Sequence, residues 1–317
     1  MSKIKKISNN SLTNIRSENL AQIPQESVWL ANFTSNNTKA TYSVSVREFF
    51  HFHRMIDQND LRSSTQAHII SWRDAMIEAG MAVSTINSRI SALSSLFNFL
   101  CEKQLMERNP VQGIKRPKVE QDQVKSPVLT TKQARSILDA PGMDDFKGIR
   151  ATAILSIYFY TGCRRAEVGS LKFKHLLEDN GYYVIDFKVK GGKRNRVPVH
   201  PELNRILEKY LKVANHIVDG DTPLFISTSN NRDKSKLSHL TPKSFNELFN
   251  KYVAIAGLPR IITPHSARAT FITQALENNC DIKAVQTTVK HANIATTMMY
   301  DKRSKKYKDS ASLVVKF

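Results

Sequence analysis

Between Ala40 and Ile56 the apolar residues Val44, Val46, Phe49, Phe50 and Phe52 give one side of a segment that also carries Arg47, His51 and Arg54, which predicts an amphipathic helix. A second helix follows Ser64, where Ile69, Ile70, Trp72, Ala75, Met76 and Ile77 precede Gly80 as a stop. A third begins at Ser84. There Ile86, Ile90, Leu93, Leu96, Phe97 and Leu100 recur at steps of three and four, and Asn87, Ser88, Arg89, Ser91, Ser94 and Ser95 leave the opposite face small and polar. Such a face suits either a DNA major groove, with Arg89 reaching a base edge or a phosphate, or plain solvent. Asn109-Pro110 ends this all-helical block, and the KRPK stretch with its two prolines reads as a linker. The expected division is a polar lead over 1–20, a helical domain over 21–113 and a linker over 114–127.

Beyond the linker the pattern is mixed. Leu129-Thr130-Thr131 opens a helix through Leu138, and Phe146 to Tyr160 is strongly apolar, as expected of a helix through a core, with Gly162 as its punctuation. Tyr182 to Val189 and Arg196 to Val199 are β-rich runs around Lys190-Gly191-Gly192-Lys193, which predicts a hairpin with a glycine turn. Helices resume over Pro201 to Ala214, Pro242 to Ala256, His265 to Asn278 and Asp281 to Val289. The fold class expected is mainly α: a helical first domain, then a mostly helical second domain over 128–302 with one small antiparallel sheet, and a tail over 303–317.

Charge adds a partner to this picture. In 317 residues, 47 Lys and Arg stand against 28 Asp and Glu, a net charge of +19, with +5 before Val128 and +14 after it. Two cationic parts fit a clamp around nucleic acid. Cys101, Cys163 and Cys280 are scattered, with neither a C-x-x-C pair nor zinc spacing, so no disulfide framework or structural metal is expected. No apolar run is long enough for a membrane span, and the lysines near the start have no hydrophobic stretch behind them.

Three clusters could carry chemistry: Thr161-Gly162-Cys163-Arg164-Arg165-Ala166-Glu167, Thr263-Pro264-His265-Ser266-Ala267-Arg268, and Lys290-His291 with Tyr300 nine residues after the histidine. Each alone reads equally as a cap, an ion pair or packing. In order they resemble the tyrosine recombinase (phage integrase) family, whose signature is Arg, Lys, His-x-x-Arg, His, Tyr. Arg164 lies in T-G-x-R-x-x-E, His265 and Arg268 supply H-x-x-R, and His291 follows Arg268 by 23 residues. The Lys190-Gly191-Gly192-Lys193 turn is similar to the family's β2-β3 hairpin and places its lysine at Lys190, with Lys188 and Lys193 as competitors. Three positions depart from the pattern: Lys290 where the family usually has Gly, Ala267 where it usually has Leu, and Arg165 where an apolar residue is usual.

The resemblance implies a site-specific recombinase of a two-domain, Xer-like or Cre-like arrangement. It would cut double-stranded DNA through a 3′-phosphotyrosyl link at Tyr300 without metal, ATP or other cofactor, as a tetramer on two DNA sites. Arg164 and Arg268 would hold the phosphate, His265 would move a proton, His291 would bind phosphate and Lys190 would protonate the departing 5′ oxygen. Arginine suits its part because a forked, permanently charged guanidinium grips two phosphate oxygens at once. Tyrosine needs help, since with a pKa of about 10 only roughly a thousandth of it is phenolate at pH 7. Glu167, three residues after Arg164, is a supporting residue placed to orient an arginine or a histidine, with an ordinary surface ion pair as the alternative, and Lys193 and Arg196 are expected DNA contacts beside the hairpin. The rivals are a type IB topoisomerase-like relaxing enzyme and a non-catalytic DNA-binding regulator. A bacterial cytoplasm is the expected location, and the tail from Lys302 to Phe317 is expected to dock on a neighbouring protomer.

Overall fold

The computed structural model describes residues 24–118, 126–189, 192–227 and 240–301, so the polar lead, the tail and the turn residues Lys190 and Gly191 lie outside the described residues. The chain divides into two compact units at residues 121 and 122.

The first unit holds helices α1 (Gln25–Ala31), α2 (Asn36–Phe52), α3 (Gln58–Arg62), α4 (Gln66–Glu78) and α5 (Val83–Glu102). The stripe expected on α5 is its core face: Ile86, Ile90, Leu93, Leu96, Phe97 and Leu100 are buried against Phe49, Trp72 and Met76. The apolar runs of α2 and α4 are wider than the face they bury, and Phe52, Ile70 and Ile77 are exposed. The short helices α1 and α3 escaped the periodicity because each is barely two turns. A capping box between Asp57 and Asp60 starts α3. Arg62 on α3 then holds the buried Glu26 of α1 at 3.0 Å.

The polar face of α5 is not free for a groove along its length. Trp29 donates to Ser95 (3.2 Å), Asn109 donates to the Ser94 carbonyl (3.1 Å), Arg116 donates to Ser91 (2.7 Å) and Asn87 donates to the Pro117 carbonyl (3.0 Å). The chain after α5 therefore runs back over that face, and at these positions its small polar side chains meet neither a groove nor plain solvent but other parts of the unit. Arg89 pairs with Glu48 of α2 at 2.5 Å and is largely enclosed.

In the second unit, α7 (Phe146–Thr161) is buried along almost its whole length, its polar residues Arg150, Thr152 and Ser156 included. Around it lie α6 (Thr131–Asp139), α9 (Pro201–Val213), α10 (Pro242–Ile255) and α11 (Pro264–Glu277). Three antiparallel strands form the sheet in the order β1 (Leu176–Asp179), β2 (Tyr182–Lys188), β3 (Arg194–Pro198). Strand β1 was not expected. Its turn into β2 is Asn180-Gly181, both with positive φ (51° and 79°), the pair a two-residue hairpin turn requires. Strand β3 starts at Arg194, two residues before the expected Arg196, with Lys188 opposite Arg194 and Phe187 opposite Asn195. The expected hairpin is therefore present around the turn that carries Lys190.

Two short elements and one helix complete the site region: α8 (Arg165–Gly169), α12 (Ile282–Val289) and α13 (Ile294–Met298). Asp281 caps α12 by accepting from the Lys283 and Ala284 amides at 2.9 Å. Val285 and Val289 of α12 pack with Ala269, Ile272 and Leu276 of α11 around the Tyr300 ring.

Candidate active site

Gly162 ends α7 in the left-handed region at φ 60°, and a Cβ there would sit 2.4 Å from the Phe271 ring. Only glycine fits both demands. The turn delivers Arg164 to the start of α8, where Glu167 closes a capping box: its carboxylate accepts from the Arg164 amide at 2.6 Å and from the guanidinium at 2.9 Å. Glu167 is buried, and of the two side chains it could have held, an arginine or a histidine, it holds Arg164.

The end of α12 gathers the rest. Lys290 adopts φ +51°, and the amides of His291 and Lys290 bond back to the carbonyls of Gln286 (3.2 Å) and Thr287 (3.3 Å), a Schellman motif. Glycine would take this turn without strain, whereas lysine costs about 1 kcal/mol there. The departure at Lys290 is thus accommodated by backbone geometry. The motif satisfies two of the helix's terminal carbonyls and leaves the next three facing outward. Thr288 accepts from the Asn195 side chain (2.8 Å), Val289 from Arg268 (2.6 Å) and Lys290 from Arg164 (3.1 Å). Arg268 also donates to the Gly162 carbonyl at 2.6 Å. Two arginines more than a hundred residues apart are thereby fixed on one helix end, whose partial negative charge offsets part of their repulsion.

Arg268 is 1% exposed, and burial, followed by the neighbouring Arg164 charge, lowers its pKa to about 10, so it stays cationic at neutral pH. His265 shares the first turn of α11 with Arg268 and keeps an exposed edge. Loss of solvent on its inner side, then the Arg268 and Arg164 charges, lower its pKa. His291 is lowered to about 4 by burial first, then by Arg268, Arg164 and His265. Its Nδ1 lies 2.9 Å from the buried Thr297 hydroxyl, which fixes the ring, and the Tyr300 ring stacks beside it with centroids 6.2 Å apart. Burial raises the Tyr300 pKa against the opposing pull of Arg268, so the phenol is protonated until a base takes its proton.

The structure brings Arg164, Glu167, His265, Arg268, His291 and Tyr300 into one site. Lys190 lies outside the described residues. Lys193 is exposed at the turn, and Arg196 pairs with Asp179 at 2.7 Å. Sequence reasoning missed Asn195 and Thr297. For Thr297 a signal existed, since it lies three residues before Tyr300 and six after His291, one helical turn from the tyrosine.

The depressed histidines set a pH dependence. A histidine near 6.5 when unfolded and near 4 when folded binds fewer protons in the native state between those values, so its contribution to stability is complete above pH 6.5 and is lost as pH falls toward 4. The melting temperature should hold level above neutral pH and drop on acidification below 6.5, and His291→Gln should flatten that drop. An unchanged acid slope in His291→Gln would show that the lost stability comes from elsewhere.

The profile of the phage integrase family matches residues 127–306, and that of the phage integrase N-terminal SAM-like domain matches residues 25–104. The tyrosine recombinase XerC of Vibrio atlanticus is 31% identical over 222 residues, covering 70% of this chain and 68% of that protein. XerC of Thermodesulfovibrio yellowstonii is 27% identical over 272 residues, 84% of this chain and 85% of that protein. Among solved structures, the XerH site-specific recombinase bound to its palindromic difH substrate superposes with a TM-score of 0.70 at 20% identity, covering 87% of this chain and 80% of that one. A lambda integrase tetramer bound to a Holliday junction gives 0.67 at 15% identity, covering 87% and 75%. With a family profile spanning more than half its length and the ordered Arg, His-x-x-Arg, His, Tyr set folded into one site, this chain belongs to the phage integrase family of tyrosine recombinases, enzymes that cut and rejoin DNA.

Proposed function

We propose that Tyr300 is the nucleophile of a site-specific recombination reaction on double-stranded DNA. The observation that carries this reading is the convergence of Arg164, Arg268, His291 and Tyr300 on the C-terminal end of α12. The phenol oxygen attacks a backbone phosphorus, the bond to the 5′ oxygen breaks, and the 3′ phosphate becomes linked to Tyr300. Arg164 and Arg268 neutralise the charge that builds on the non-bridging oxygens, using donors already fixed before DNA arrives. His291, neutral at pH 7 and held by Thr297, offers its outer nitrogen to the phosphate. His265, neutral as well and partly exposed, accepts the phenol proton, and Lys190 gives a proton to the departing oxygen. The 5′ hydroxyl of a partner strand then attacks the phosphotyrosyl link and frees the tyrosine. One phosphodiester replaces another, so no energy source is consumed.

The partner is DNA and the working unit a tetramer on two sites, a reading supported by the net charge of +19 and by the DNA-bound states of the XerH and lambda integrase neighbours. Both units grip the duplex in this reading. Any phosphate contact by Arg196 or Arg89 exchanges a carboxylate partner, Asp179 or Glu48, for the phosphate. No described helix is long and apolar enough to cross a membrane, and a bacterial cytoplasm is the setting we propose. Strand exchange between two DNA molecules that each carry the target site is the test: recombinant joints are expected. Relaxation of supercoils without exchange would favour the single-duplex topoisomerase reading.

A further inference from the structure

Strand β3 alternates outward and inward, and its two inward positions are Asn195 and Val197. Val197 enters the apolar core, as an inward strand residue should. Asn195, only 8% exposed, places an amide where the pattern calls for an apolar side chain, and burying an amide is unfavourable unless it is hydrogen-bonded. Its partner is the Thr288 carbonyl at 2.8 Å, the first of the three outward carbonyls at the end of α12 whose other two hold Arg268 and Arg164. On the other side, Asn195 stands opposite Phe187 one pair from the end of the β2–β3 ladder. The base of the hairpin is closed by the Val189 amide on the Lys193 carbonyl (2.8 Å) and by Arg194 on the buried Asp186 (2.6 Å).

We propose that Asn195 is a positioning residue: it ties the hairpin to the helix end that carries the phosphate-binding arginines, and so sets the reach of the hairpin lysine toward the bond that Tyr300 breaks. The inference rests on the reading that a lysine of this hairpin protonates the leaving oxygen, whichever of Lys188, Lys190 and Lys193 it is. The two clusters come from distant parts of the chain, and their alignment needs a direct link. A misplacement of about 1 Å is enough to slow a positioned proton transfer by about 10²-fold.

The test uses the full chain and two suicide substrates, one ordinary and one with sulfur in place of the bridging 5′ oxygen. Sulfur leaves without a proton, since a thiol pKa near 8.5 lies far below water's value of about 15.7. Asn195→Ala should cleave ordinary DNA roughly 10- to 100-fold more slowly and the sulfur substrate within about threefold of the unmodified protein. Should Asn195→Ala not fold, Asn195→Leu, close to the same shape but without the donor, carries the same comparison. Equal slowing on both substrates, or full activity on both, would overturn the inference. Lys190→Ala run in parallel separates it from the underlying reading. Rescue of Lys190→Ala alone retains the acid and removes the tie; rescue of Asn195→Ala alone retains the tie and moves the acid to another hairpin lysine; rescue of neither removes both.

Discussion

Tyr300→Phe is expected to bind target DNA as the unmodified protein does and to form no covalent adduct on a nicked suicide substrate, a loss of at least about 10⁴-fold, the scale seen when a nucleophile is removed from an otherwise intact site. The substitution removes one hydroxyl. The ring still fills the space among Ala269, Ile272, Leu276, Val285 and Val289 and still stacks on His291, so neither fold nor DNA affinity has reason to change. Arg164 and Arg268 keep their carbonyl partners, so the phosphate-binding part proposed for them is untouched. The chain has nine tyrosines, and an adduct surviving in Tyr300→Phe would assign the chemistry to one of the others.

Lys190→Ala should show the second large effect. An alkoxide is a poor leaving group, so ordinary DNA should be cleaved about 10²- to 10⁴-fold more slowly, the usual cost of a missing general acid, and the sulfur-bridged substrate at nearly the original rate. Arg164→Ala supplies the contrast. In the proposed reaction its guanidinium stabilises the non-bridging oxygens, whose charge develops with either leaving group, so its defect of about 10²- to 10³-fold should persist on both substrates. Equal impairment of Lys190→Ala on both would refute the acid role, and rescue of Lys193→Ala instead would shift it across the turn.

Much of this was readable in the chain, for reasons that differ from element to element. The stripe from Ile86 to Leu100 and the strongly apolar Phe146 to Tyr160 announce their helices because burial imposes one composition on a helix face and another on a helix enclosed nearly all round. The opposite face of α5 was ambiguous for the same reason: serines and asparagines suit a groove or solvent, but they equally suit a returning chain that needs donors and acceptors, and Asn109 and Arg116 take them. Strand β1 was hidden by its mixed Leu-Leu-Glu-Asp pattern, although the Asn180-Gly181 turn marked its end. The candidate site residues other than the hairpin lysine could be picked out because each stands in a motif with fixed spacing. What joins them could not be: main-chain carbonyls at Gly162, Thr288, Val289 and Lys290 bear no side-chain signature, and Asn195 becomes meaningful only once Thr288 is opposite it.

The central claim, that one tyrosine carries the broken strand by its 3′ phosphate, is tested most directly by isolating the covalent complex, digesting it with trypsin and sequencing the DNA-linked peptide. Cleavage after Lys290 and Lys302 yields the segment His291 to Lys302, which contains a single tyrosine, Tyr300. The account predicts that this peptide carries the nucleotide through a 3′-phosphoryl bond. A DNA-linked peptide from any other part of the chain, or attachment through a 5′ phosphate, would contradict it.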